Sequence, residues 1–280
     1  MTMLRRAVRV AVLFLLLFAV SHASTRGPLF PWSPVRPGYA AETVPGATVV
    51  YPRRSGMPDA YRRADDILAD VARANRLAFR APVTIVVTDD WTLFNRGGLL
   101  RWDTGPLPVL GAALQTGTVV YVSPLALEPG RDRAGVLRHE LTHALMFQQM
   151  PLRRTFALVR LDWFEEGLAV RAGNPGDYLD DAAWARLARH PGYRFGPAGD
   201  PELRRVPAEM RGSFRLAEYC VFIEYLVQMR GPGRFFAFRD DVLRDPDGYD
   251  GAFVRAFGAG FAEVVAGYER AVRAGDWPRT

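Results

Sequence analysis

Residues 131–149 read RDRAGVLRHELTHALMFQQ, and this stretch decides how the rest of the chain is interpreted. Asp132 offers the side-chain oxygen of a helix N-cap, and an apolar stripe with the spacing i, i+4, i+7, i+8 begins at Leu137. The pattern predicts an amphipathic helix with one core-facing side. His139 and His143 lie one turn apart on the other side of this helix, so core packing does not explain them.

The pair His139 and His143, with Glu140 between them, has the spacing of a zinc site. Zn²⁺ binds imidazole nitrogens at about 2.0–2.1 Å, and two residues one helical turn apart present such nitrogens from one rigid element. Glu140 lies beside the metal position, where a carboxylate can take a proton from zinc-bound water and deliver it to a leaving amine. With four histidines in 280 residues, a chance match is improbable. The alternative is a metal-free pair on an exposed or hydrogen-bonded helix face.

A catalytic zinc ion needs three protein ligands and an open position for water, so a third ligand is required. His22 lies in an N-terminal targeting segment and His190 precedes a proline in a predicted loop, which makes both poor candidates. Residues 163–169, Trp-Phe-Glu-Glu-Gly-Leu-Ala, predict a second helix that can fold back antiparallel after about a dozen residues. Glu165 or Glu166 could then reach the histidine pair, although acids also favour helix starts without binding a metal.

The chain divides into a strand-containing first part and a helical second part. Residues 95–117 are rich in glycine and proline, which predicts a loop with one hairpin arm. The predicted elements are strands at 49–51, 82–88 and 118–122, and helices at 59–79, 131–149, 163–173, 178–189, 213–230 and 232–243, with two short helices ending near 273. This order predicts an α+β domain with a mixed sheet lobe at 48–130, a helical lobe at 131–274 and the histidine motif at their junction.

The first 23 residues are typical of a secretory signal peptide. Basic residues precede an apolar run at 10–20, and small residues stand before a cut after Ala23. The alternative is an uncleaved membrane tether. It is less favoured, because the run of 11 residues is shorter than the roughly 20 that span a bilayer. Residues 24–47 are proline-rich and predict a linker. We therefore expect a secreted, periplasmic or cell-envelope protein.

The composition argues against a nucleic-acid-binding protein and against a protein stabilised by disulfides. The net charge is +6, every cation is arginine, and three of these arginines lie in the predicted signal, which leaves +3 for the remainder. No basic block or aromatic-interleaved basic stripe is present, so nucleic-acid binding is not expected. Cys220 is the only cysteine, which excludes an intrachain disulfide, and its apolar surroundings favour a buried thiol. A monomer is expected.

The motif at 139–143, followed 23 positions later by Glu166 of Trp-Phe-Glu-Glu-Gly-Leu-Ala, resembles the gluzincin metallopeptidases, the group that contains thermolysin and aminopeptidase N. The resemblance extends over about 48–274 and implies a zincin-like fold of the peptidase-MA type. It implies Zn²⁺ as the cofactor, Glu166 as the third ligand and a peptide or protein as the substrate. Glu165 stands where the family often has asparagine, and it is a candidate for supporting a ligand from outside the metal shell.

The resemblance also implies a group that stabilises the oxyanion, often a tyrosine or histidine of the helical lobe. Tyr219 is the candidate, with Tyr178 and Tyr225 as weaker ones, although a core position for Tyr219 is the alternative. In such folds the strand before the active helix, here 119–122, lies along the cleft and can pair with substrate backbone.

The chain departs from the family at two places. Residues 111–117 lack the acidic residues with which the aminopeptidase N type anchors a substrate amine, and Val170 stands where thermolysin-like enzymes have an aspartate that orients a histidine. Exopeptidase activity therefore has no support, and an endopeptidase is expected. The alternative is a non-catalytic, zinc-stabilised binding or assembly module of the cell envelope.

Overall fold

The described part of the chain combines one mixed sheet with a set of helices. A computed structural model describes residues 12–16, 38–89, 91, 94, 110–173, 188–189, 193–196 and 211–277. The strands are β1 (Tyr39–Val44), β2 (Ala47–Pro52), β3 (Val83–Val87), β4 (Gly111–Ala113) and β5 (Val119–Val122). The helices are α1 (Ala64–Asn75), α2 (Arg133–Phe147), α3 (Leu152–Leu158), α4 (Asp162–Ala172), α5 (Arg211–Arg230), α6 (Pro232–Arg244), α7 (Tyr249–Phe257) and α8 (Phe261–Ala274), with 3₁₀ turns at Asp59–Arg63, Pro124–Leu127 and Pro246–Gly248. The fold is of the α+β class.

The sheet has the strand order β1-β2-β3-β5-β4. The three central strands β2, β3 and β5 are parallel, and each edge strand is antiparallel to its neighbour. The β4–β5 hairpin turns at Gly117, whose φ of 69° favours glycine. Because β5 is paired on both sides, β4 forms the free edge at this end of the sheet among the described residues.

Two cores of different composition lie on either side of α2. The sheet packs on α1 and α2 through aliphatic side chains, among them Ile85, Val120 and Leu141. The helical part has a core dominated by aromatic rings, in which Trp163, Phe222 and Phe253 take part. Helix α2 contributes to both, because its stripe from Leu137 to Leu145 belongs to the first and Phe147 to the second.

Most predicted elements are confirmed to within a few residues. The predicted helix at 59–79 is a 3₁₀ turn followed by α1, and it ends early because Arg76 takes a left-handed conformation with φ of 49°. Helix α3 occupies part of the segment that was expected to be only a connection. The predicted helix at 178–189 lies almost entirely outside the described residues. Within the described residues, no helix is long and apolar enough to cross a bilayer.

Two predictions about the sheet are wrong. The sheet begins at Tyr39, inside the predicted linker at 24–47, because β1 pairs with β2 through backbone hydrogen bonds while residues 41–43 are exposed and show no apolar alternation. The substrate-pairing edge was expected at 119–122, but β5 is an interior strand with buried residues throughout. Of the described strands, β4 is the one that an added strand could pair with at this end of the sheet.

Candidate metal centre

Helix α2 brings the two histidines and Glu140 into the interior of the protein. Asp132 caps this helix by accepting a hydrogen bond from the Gly135 amide at 2.8 Å. The stripe that begins at Leu137 packs on the sheet, as predicted. The histidine side of the helix is also buried, because α4 packs across it. Nearly every residue of α2 is therefore enclosed, and the polar residues among them need partners.

Helix α4 is positioned by tight packing against α5. Trp163 and Phe164 enter the aromatic core of the helical part. Gly167 lies so close to α5 that a Cβ atom there would stand 2.8 Å from the carbonyl oxygen of Tyr219. This close approach requires a residue without a side chain. It places Glu165 and Glu166, which directly precede Gly167, beside the histidines of α2.

Three candidate ligand atoms converge between α2 and α4. The Nε2 atoms of His139 and His143 are 3.1 Å apart, and the Glu166 Oε2 atom lies 3.4 Å from the first and 3.6 Å from the second. Ligands at about 2.0–2.1 Å around a tetrahedral zinc ion lie about 3.4 Å from one another. Two imidazoles and one carboxylate are ligands that zinc accepts, and Glu166 remains partly exposed, which leaves access to a fourth position. The chemistry and spacing of the three residues therefore fit a zinc ion.

Glu165 supports His143 from the opposite side of the ring. The His143 Nδ1–H group donates a hydrogen bond to the Glu165 Oε1 atom at 2.8 Å, and both side chains are almost completely buried. This bond fixes the tautomer in which Nε2 carries the lone pair that faces His139 and Glu166. A carboxylate in this place also makes the imidazole a stronger ligand.

The electrostatics of the cluster favour a positive charge. Burial by itself lowers the pKa of His143, but the carboxylates of Glu165 and Glu166 outweigh burial and hold this pKa well above its usual value. Burial raises the pKa of Glu166, but His143 and His139 outweigh burial and hold it well below its usual value. A cation is thus stabilised where the three ligand atoms meet.

Glu140 lies between α2 and the edge strand β4. A Cβ atom on Gly111 would stand 2.5 Å from Cγ and 2.8 Å from Oε1 of Glu140. Glycine at this position therefore leaves the space that the buried Glu140 side chain occupies. This contact places the candidate base directly against the strand that forms the free edge of the sheet.

The remaining candidates have different positions. Tyr219 is completely buried in the helical core, with its ring centroid 6.0 Å from that of Phe195. Its assignment to the oxyanion remains a prediction. Tyr225 packs against Tyr268 at 5.2 Å between ring centroids, whereas Tyr178 lies outside the described residues. Sequence reasoning missed Gly111, whose only signal was its place in a short glycine-flanked strand.

Comparisons with known proteins find a weak structural similarity to zinc metallopeptidases. No protein-family model matches the chain, and neither does any curated protein. A two-domain M1 zinc metallopeptidase mutant bound to L-arginine is 14% identical, with a TM-score of 0.41 over 84% of this chain and 48% of that one. A mutant M1 zinc metallopeptidase from Deinococcus radiodurans is 11% identical, with a TM-score of 0.38 over 84% and 49%. The chain spans about half the length of these proteins, and at such scores the interpretation of the site depends on its own geometry.

Proposed function

We propose that this protein is a zinc-dependent peptidase of the gluzincin type, with a zincin-like domain and its active site on α2. The observation that carries the proposal is the convergence of His139, His143 and Glu166, with the buried Glu140 next to His139 in the sequence of α2. These three residues would hold the metal. A bound zinc ion would supply a Lewis acid and a water molecule of lowered pKa.

The residues of this chain have distinct roles in the proposed reaction. Glu140 holds a proton taken from the attacking water and passes it to the leaving amine, as general base and then general acid. Glu165 keeps His143 in the tautomer that the metal requires. Tyr219 is proposed to stabilise the oxyanion, which its buried position would allow only after a rearrangement of its ring.

The proposed substrate is an extended peptide that pairs with β4. Residues 111–113 form the free edge of the sheet, and Gly111 lies against Glu140, so a strand added there would pass beside the base. Main-chain pairing along an edge does not require a free substrate terminus. This supports endopeptidase activity.

The proposal places the enzyme outside the cytoplasm and acting as a monomer. The basis for the location is the N-terminal sequence at 1–23, which has the order of a secretory signal. A membrane tether through the same residues is the alternative to release.

Glu140→Gln tests the proposal with little change in shape. The zinc-loaded protein should cleave members of a mixed peptide library, a chelator should stop cleavage, and added zinc should restore it. Glu140→Gln should lower the rate by about 10²- to 10⁴-fold, because the proton acceptor is lost, while zinc content stays at one ion per chain. Mass spectrometry of the products and metal analysis measure the two quantities.

The outcome that would contradict a peptidase is the same slow cleavage in the wild type and in Glu140→Gln, with or without the chelator. If both proteins then bound zinc equally, a non-catalytic zinc-stabilised module would be the better description.

A further inference from the structure

Gln148 lies at the C-terminal end of α2, outside the candidate metal centre, and its polar side chain is buried. It is five residues beyond His143, and its side-chain hydrogen bonds go to other residues than the three candidate ligands. Its side-chain amide nevertheless makes four hydrogen bonds. A buried amide normally has such partners, so the segments that its bonds join show what this side chain holds together.

The four bonds of Gln148 join α2 to two other segments. The Oε1 atom accepts from the amides of Arg80 at 2.6 Å and Ala81 at 3.0 Å. The Nε2 group donates to the carbonyl of Ala81 at 3.1 Å and to that of Gly117 at 2.7 Å. Gln148 thus connects the active helix both to the segment before β3 and to the turn of the β4–β5 hairpin.

The hairpin rests on α2 at both ends of its first arm. At one end Gly111 lies against Glu140, and at the other a Cβ atom on Gly117 would stand 2.6 Å from the carbonyl oxygen of Ala144 and 2.7 Å from Cγ of Gln148. Residues 140, 144 and 148 are four apart and lie in one row along the helix. This row faces the hairpin, with the candidate base at one end and Gln148 at the other.

We infer that Gln148 is a positioning residue for the proposed peptidase: by holding the turn at Gly117 it sets the distance between the edge strand β4 and Glu140. The inference rests on the proposed function and extends it to a residue without contact to the metal ligands. A displacement of β4 by about 1 Å would move a paired substrate relative to the base, and a misplacement of this size can cost on the order of 100-fold in rate.

Gln148→Glu is the informative variant, because it keeps an acceptor for the Arg80 and Ala81 amides and removes the Nε2 donor to the carbonyls of Gly117 and Ala81. Gln149→Glu is the matched control. The Gln149 Nε2 group donates to the carbonyls of Ala78 at 3.1 Å and Leu145 at 2.9 Å, so it contacts the same segment before β3 but not the hairpin.

Three measurements on the full chain distinguish a positioning role of Gln148 from a purely structural one. In Gln148→Glu, hydrogen exchange of the hairpin amides, including the Leu114 amide that bonds the Val119 carbonyl, should rise by about 10-fold. The zinc affinity should change by less than about 2-fold, because the ligand set is untouched. The value of kcat/KM for a cleaved peptide should fall by about 10- to 100-fold, whereas Gln149→Glu should stay close to wild type.

Equal exchange of the hairpin in the Gln148 and Gln149 variants would overturn the inference, as would a loosened hairpin with unchanged kcat/KM. If Gln148→Glu does not fold, Gln148→Met, which keeps the length of the side chain, replaces it in the same comparison. An inactive wild type would refute the proposed peptidase, and the exchange measurements would still decide whether Gln148 holds the hairpin.

Discussion

The two helices that carry the candidate ligands, α2 and α4, are held in place in different ways. Helix α2 has polar contacts at both ends, the Asp132 cap at its start and the Gln148 amide at its end. Helix α4 begins after Leu161, which has no side-chain acceptor, and it is held by Trp163 and by the close approach of Gly167 to α5. Both helices are held by packing, and α2 has in addition a directional hydrogen bond at each end.

This difference decides which ligand positions follow from local sequence and which depend on packing between helices. The spacing of His139 and His143 follows from the helix itself, so any stable helix would keep them on one side. The position of Glu166 depends on how α4 packs against α2 and α5. Variants that disturb the packing should therefore affect the third ligand more than the histidine pair.

The largest effect is expected for Trp163→Ala, which removes the main aromatic anchor of α4. The Trp163 ring lies in contact with Phe222 and Phe261, at 5.2 Å and 5.5 Å between centroids. Loss of a buried aromatic ring should lower the free energy of unfolding by about 3–5 kcal/mol. Trp91→Ala is the matched control, because Trp91 is 45% exposed and should cost much less. Chemical denaturation measures both, and similar losses would contradict packing as the main support of α4.

A smaller effect is expected for Glu165→Gln, which changes the hydrogen bond between Glu165 of α4 and His143 of α2. The neutral amide keeps the shape but is a weaker acceptor for the His143 Nδ1–H group, so zinc affinity should fall by about 10-fold. Glu218→Gln is the control, since Glu218 is also buried but accepts a hydrogen bond from the Tyr193 hydroxyl. Competition with a chromogenic chelator gives both affinities, and equal values would show that Glu165 does not support the ligand.

The smallest effect is expected for Asp132→Ala, which removes the cap of α2. The Gly135 amide would lose its acceptor, and stability should fall by about 1 kcal/mol. Asp132→Asn keeps a capping oxygen and should retain most of that stability. Because α2 is enclosed along its length, zinc affinity should stay within about 2-fold of the wild type. A tenfold weaker affinity in Asp132→Ala would mean that the start of α2 is less firmly held than its packing indicates.

Much of the fold could be predicted because its elements have strong local patterns. The β-branched run before residue 88 and the apolar stripe of α2 predict β3 and α2 closely. Strand β1 could not be predicted in this way, because most of its side chains are exposed and only its pairing with β2 makes it a strand. The position of β5 inside the sheet depends on strand order, which no local pattern encodes.

The residues of the candidate site differ in how far the sequence alone predicts them. His139, Glu140 and His143 follow from one helical turn, and the structure brings Glu166 to the pair. The hydrogen bond between Glu165 and His143 depends on the packing angle of α4, so the sequence could only offer Glu165 as a candidate. Gly111 became recognisable only when its strand was placed against Glu140.

The contact between Gly111 and Glu140 also couples the evolution of these two positions. As long as a lineage keeps a glutamate at 140 in this conformation, a side chain at 111 would have to displace it. A lineage that replaces Glu140 with a small residue loses the proposed chemistry and is at the same moment released from that restriction. The residue at 111 could then change freely. A residue other than glycine at this position in a related sequence would therefore indicate that its site has lost the proposed peptidase chemistry.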